Sequence, residues 1–91
     1  MASSAISAYR DRIDEIDAAL IDLLNRRAHM AAHIGRVKGA TGVAVYCPTR
    51  ERDVLERVSA LANGPLGPDA VARLFSAIMT ETRAIQTRSV A

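Results

Sequence analysis

Apolar residues recur at alternating spacings of three and four along the first part of the chain: Ile6, Tyr9, Ile13, Ile16, Leu20, Leu23, Met30, Ile34 and Val37. That spacing predicts one long amphipathic helix over residues 4 to 38 with a narrow packing seam. Asp11, Asp14, Glu15, Asp17, Asp22 and Arg26 fall largely off the seam. One position breaks the rule, because Arg27 stands between Leu23 and Met30. A guanidinium in an apolar seam is costly unless an anion meets it, either a carboxylate of the protein or an anionic ligand. At 1.5 Å per residue this helix is about 50 Å long. A compact globule of the same chain length is only about 25 to 35 Å across. The helix therefore overhangs its own chain, and the simplest cover for the seam is the same seam of a second copy, an intertwined homodimer.

The remaining pattern predicts two shorter helices and no strand. Gly35 costs a helix about 1 kcal/mol relative to alanine, but Val37 keeps the seam and the helix is expected to continue through it. Gly39, Thr41 and Gly42 break the pattern, and residues 43 to 47 form a connector. Pro48 suits the first position of the second helix and makes Cys47 its N-cap, where Asp, Ser, Thr or Asn would ordinarily satisfy a free backbone N–H. This helix runs to about residue 62 and is expected to bury Val54, Leu55, Val58 and Leu61. Asn63, Gly64 and Pro65 stop it; Gly67 and Pro68 open the third helix. The third is expected to bury Val71, Leu74, Phe75, Ile78, Met79 and Ile85, with residues 87 to 91 as a frayed tail. The expected class is all-α, three helices per chain with a long first helix, in one domain over residues 1 to 91.

Charge and composition exclude more than they assign. A formal net charge of +2 demands neither nucleic acid nor a membrane, and three aromatic residues, Tyr9, Tyr46 and Phe75, are too few to interleave a nucleic-acid surface. No apolar run approaches the roughly 20 residues of a membrane helix. The N-terminus lacks the apolar core of a signal peptide, and Cys47 is the single cysteine. A soluble protein in the reducing cytoplasm is the expectation. Eleven arginines stand against one lysine, Lys38; the planar arginine fork suits carboxylates, although a GC-rich genome gives the same bias.

Polar residues on the buried faces carry the candidate chemistry. Lys38 lies eleven positions beyond Arg27, about 20° away around the helix and about 16 Å along it, so the two cations share one inward face. Glu51 falls in the middle of the apolar arc of the second helix with Arg50 at its edge, and Thr82 and Gln86 sit one turn apart inside the arc of the third. Three helices thus each contribute polar groups, mostly cationic, a set that describes a site for a small polar dianion. The blander alternative is a Glu51–Arg27 ion pair with Thr82 bonded back to its own helix. His29 and His33 stand one turn apart without a third ligand at a suggestive spacing, so no metal is expected. The run from Arg50 to Arg57 reads as a solvated face with Arg52–Glu56 and Asp53–Arg57 pairs. There is no phosphate-binding glycine loop, no nucleophile triad and no base for Cys47, and no cofactor is implied.

The ordered set Arg10, Arg27, Gly35, Lys38, Arg50-Glu51-Arg52, Arg73-Leu74-Phe75 and Gln86 resembles the all-helical chorismate mutases, found alone or fused ahead of prephenate dehydratase. The resemblance covers essentially the whole chain. It implies an isomerase that converts chorismate to prephenate in the shikimate pathway to the aromatic amino acids, as an intertwined homodimer whose two sites each draw on both chains. Arg27 and Arg10 of the partner subunit would hold the two substrate carboxylates, with Arg50 assisting and Thr82 near the ring carboxylate. Lys38 and Gln86 would bond the ether oxygen, and Glu51 the ring hydroxyl. Lys38, Gln86 and Arg27 are thereby the expected catalytic residues. Geometry independently requires Arg10 to act across the dimer, since it lies 28 residues, about 42 Å of straight helix, from Lys38. One departure concerns Cys47, where many relatives carry an aspartate close to the substrate hydroxyl. Isochorismate-pyruvate lyases and aminodeoxychorismate mutases share the fold and remain alternatives, as does a non-catalytic helical interaction module.

Overall fold

The structure, a computed structural model, describes residues 2–90 as three α-helices: α1 (Ala2–Thr41), α2 (Pro48–Leu61) and α3 (Pro68–Ser89). No strand occurs among the described residues. The molecule measures 60 × 25 × 14 Å, with a radius of gyration of 16.9 Å, against about 12 Å for a compact chain of this length. The excess is α1, whose residues 3 to 26 are all exposed. All nine seam side chains are open to solvent, from 47% for Ile34 to 67% for Tyr9.

α3 is the hub. Both α1 and α2 pack on it, while the backbones of α1 and α2 stay apart, with no pair of Cα atoms within 8 Å. Between α2 and α3 lies a small core of Val54, Val58 and Met79, flanked by Leu55, Val71 and Phe75. Leu61 and Leu74, expected in the core, are instead 69% and 53% exposed, on faces of α2 and α3 that this chain leaves uncovered.

The α1–α3 contact is made by small residues rather than by the seam. Ala31 and Gly35 are buried. A Cβ on Gly35 would stand 2.5 Å from the backbone oxygen of Gln86, and one on Gly39 2.5 Å from that of Val90. Two glycines one turn apart thus let the backbones approach more closely than any side chain permits. This contact also explains why α3 stays helical to Ser89, into the stretch expected to fray, with Ser89 Oγ donating to Ile85 O at 2.8 Å. Ala91, the last residue of that expected tail, lies outside the described residues.

The helix ends follow their local chemistry. α1 runs three residues past Lys38 and stops at Gly42, whose φ of +74° suits glycine. Val43 N–H then bonds back to Lys38 O at 3.1 Å, the six-to-one closure of a left-handed C-cap. Pro48 and Pro68 each stand at a helix start. Cys47, the N-cap of α2, makes no side-chain capping bond.

Candidate active site

A cleft of about 430 Å³ opens between the C-terminal half of α1 and the start of α2, with α3 as its floor. Arg27, Lys38, Arg50, Glu51, Thr82 and Gln86 all line it, so six of the seven site residues expected from the sequence come together. Arg10 does not. It lies on the exposed arm of α1, about 25 Å along the rod from Arg27.

Arg27 meets no carboxylate. Its Nη1 donates to Thr82 Oγ1 at 2.9 Å, and Thr82 Oγ1 in turn donates to Ile78 O at 3.0 Å, with Met79 O at 3.3 Å. Thr82, buried to 8% exposure, therefore does bond back to its own helix, and it also gives Arg27 a fixed seat. Burial, and after it the like charges of Arg50 and Arg57, hold the Arg27 pKa below the usual guanidinium value. The guanidinium is thus crowded by cations and supplied with no anion.

Lys38 joins three elements. Its Nζ donates to Val45 O in the connector at 2.8 Å and to Gln86 Oε1 on α3 at 3.1 Å. An ammonium has three donors, so one N–H remains for a ligand. Because Gln86 Oε1 accepts from Lys38, the Gln86 amide turns its own N–H donors the other way. Both residues line the cleft, and each keeps at least one N–H donor free of the bond between them.

Glu51 does not pair with Arg27. Its carboxylate accepts two parallel bonds from Arg83, Nε to Oε2 at 2.9 Å and Nη2 to Oε1 at 2.8 Å, and the guanidinium lies 4.4 Å from the centroid of the Tyr46 ring. The Glu51 hydrogen bonds raise the Arg83 pKa. This is the one ion pair among the described residues. Arg52–Glu56 and Asp53–Arg57 do not close, although all four residues are exposed as a solvated face should be. Arg83 also lines the cleft, and it does not emerge from the apolar pattern. The signal for it is phase: it stands three residues before Gln86 and four after Met79, on the same face as both.

Four cations and one carboxylate thus face the cleft, with the Thr82 hydroxyl and the Gln86 amide between them. Such a lining selects an anion carrying more than one negative charge. Among the described residues no group of three His, Cys, Asp or Glu is placed to hold a metal ion, and no helix is long and apolar enough to cross a membrane.

The family model for chorismate mutase type II matches residues 9–87. A bifunctional chorismate mutase/prephenate dehydratase of Neisseria gonorrhoeae is 50% identical over 78 residues, 86% of this chain and 21% of that protein. An intracellular chorismate mutase of Mycobacterium tuberculosis is 39% identical over 64 residues, 70% of this chain and 59% of that protein. The fold matches a crystal structure of chorismate mutase from Helicobacter pylori in complex with prephenate, with a TM-score of 0.86 and 28% identity over 94% of this chain and 93% of that one. The chain spans about a fifth of the length of the bifunctional relatives it matches first. With its family model covering nearly all of three helices whose polar residues converge on one cleft, the chain belongs to the chorismate mutase type II family.

Proposed function

We propose that this chain is a chorismate mutase, an isomerase rearranging chorismate to prephenate, and that it works as a homodimer in which Arg10 of the partner subunit completes each cleft. The observation that carries the proposal is the Lys38–Gln86 pair beside Arg27 in a cleft with four cations. The reaction is a unimolecular [3,3] shift in which an ether C–O bond breaks as a C–C bond forms. It needs no nucleophile and no net proton transfer. What it needs is a chair-like conformer of a flexible dianion and donors for the oxygen that gains charge.

Arg27 serves the first need. Thr82 holds one of its donors, and the rest of its five-donor fork remains for a substrate carboxylate. Arg50 lies across the cleft in the first turn of α2, and Arg10 takes the second carboxylate across the dimer. Fixing both carboxylates removes the rotational freedom that separates the extended conformer from the reactive one. Lys38 and Gln86 serve the second need. The Lys38 ammonium is already held by Val45 and Gln86, so its remaining N–H points at the ether oxygen without reorganisation as charge develops. Gln86 adds an amide N–H that needs no proton uptake to donate. Glu51 accepts from the ring hydroxyl. The nine exposed seam side chains of α1 support the homodimer, since a second α1 running antiparallel covers them and carries Arg10 to the opposite end.

The test is chorismate consumption by purified protein, products separated by chromatography, with Lys38→Ala beside the parent and helicity checked by circular dichroism. Prephenate from the parent and at least about a hundredfold loss in folded Lys38→Ala are expected. A parent inert toward chorismate overturns the proposal, and pyruvate released from isochorismate replaces it with the lyase reading.

A further inference from the structure

The cleft contains one charged pair that the proposed chemistry leaves unexplained. Arg83 spends the two donors on one edge of its guanidinium on both oxygens of Glu51, and one face of it on the Tyr46 ring. Three elements converge there: α2 through Glu51, α3 through Arg83 and the connector through Tyr46. The α2 backbone approaches closely only that of α3, and this pair ties the first turn of α2 to it across the cleft. Arg27 and Arg50, by contrast, have no carboxylate partner.

We propose that Arg83 is a positioning residue that acts through Glu51, holding its carboxylate in one plane and neutralising it so that Glu51 meets the substrate as an oriented acceptor rather than as a free negative charge. The inference rests on the mutase reading for the identity of the substrate. A glutamate at the edge of a water-filled cleft rotates freely about its side chain, whereas a bidentate fork fixes the plane of the carboxylate. An unneutralised carboxylate would also repel a dianion entering the same cleft. With two of its roughly four acceptor sites taken by Arg83, Glu51 still accepts from a hydroxyl. The neutralised pair favours such a neutral donor over an ammonium, whose charge would meet the guanidinium alongside.

A double-mutant cycle tests this, with kcat and KM for chorismate measured on the parent, Arg83→Met, Glu51→Gln and the double variant. Arg83→Met should lower kcat/KM about tenfold or more, mainly through KM, while in the Glu51→Gln background the same change should cost less than about twofold, because coupled residues do not add. Arg83→Lys, which keeps the charge without the fork, should recover only part of the loss. Equal losses in both backgrounds overturn the proposal in favour of an independent role for Arg83 on the substrate. Parental kinetics with only a lowered Tm overturn it in favour of a structural tie. Nitrogen-15 NMR of the arginine Nε–H groups reads the clamp without any turnover: exchange at Arg83 should be slow in the parent and fast in Glu51→Gln, and exchange equal in the two overturns the clamp. If the parent leaves chorismate unchanged, the mutase reading fails by itself and the exchange measurement alone decides whether the clamp exists.

Discussion

Replacing Gly35 by alanine sets two effects of known size against each other. Alanine favours helix over glycine by about 1 kcal/mol, so on propensity alone Gly35→Ala stabilises α1. The structure forbids the gain. The new Cβ would stand 2.5 Å from Gln86 O, 2.9 Å from Gln86 Cα and 2.9 Å from Ser89 Cβ, while ordinary contact begins near 3.4 Å. The obstruction is mostly backbone and cannot rotate away, so α3 must withdraw from α1 by about 0.9 Å, the difference between 3.4 and 2.5 Å. Overpacking of this kind costs about 1 to 3 kcal/mol, which leaves a net destabilisation of about 1 kcal/mol once the propensity gain is subtracted. Catalysis should suffer more. Withdrawing Gln86 by that distance stretches its 3.1 Å bond from Lys38 to about 4 Å, beyond hydrogen-bond range. A misplacement of about 1 Å in a reactive constellation costs about a hundredfold in rate. Urea unfolding and kcat should be measured on Gly35→Ala beside Gly64→Ala, whose Cβ meets nothing within 4 Å. Gly64→Ala should match the parent in both. A Gly35→Ala protein more stable than the parent with undiminished kcat would refute the close-approach reasoning.

Three further outcomes are expected. Gln86→Glu places a carboxylate where a donor is needed, so kcat at neutral pH should fall about a hundredfold and climb as pH is lowered and the carboxyl regains its proton; a pH–rate profile parallel to the parent's would remove Gln86 from the charge-stabilising role. Arg10→Ala and Lys38→Ala, each inactive alone, should regain activity when mixed and allowed to exchange subunits, because one cleft of the mixed dimer then holds both intact residues. No recovery despite proven exchange would return Arg10 to its own chain's cleft or to no cleft. Cys47→Asp supplies the capping oxygen that α2 lacks and should stabilise the protein by about 1 kcal/mol, read as a rise of a few degrees in Tm.

Helix boundaries were the most legible feature of the sequence, because their determinants are local. Pro48, Pro68 and Gly42 act through their own backbone angles, and the observed ends lie within a few residues of the expected ones. Burial was less legible. Periodicity says which face of a helix is apolar but not whether this chain covers it, so Leu61 and Leu74 read as core and stand exposed. The convergence of Arg27, Lys38, Glu51, Thr82 and Gln86 could be inferred from polar residues inside apolar arcs. The pairing among them could not. Glu51 had Arg27 as an available partner in the sequence, and the choice of Arg83 instead depends on how α2 crosses α3, a tertiary quantity. Likewise Gly35 read as a local weakness of α1, and its value lies in a neighbour 51 residues on, Gln86.

The exposed arm of α1 has a thermodynamic consequence. Residues 3 to 26 are all exposed in a lone chain, and a helix that buries little of its apolar face lacks the tertiary packing from which most helical stability comes. The arm's backbone hydrogen bonds therefore open at little cost in a lone chain and close when a second chain covers them, which ties their protection to protein concentration by mass action. Amide hydrogen exchange along this arm should slow as concentration rises, while exchange at Val54 and Met79 changes far less. On the homodimer reading Arg10 rides on this arm, so dilution removes a substrate ligand before it unfolds the α2–α3 core, and specific activity falls at concentrations where that core is still intact.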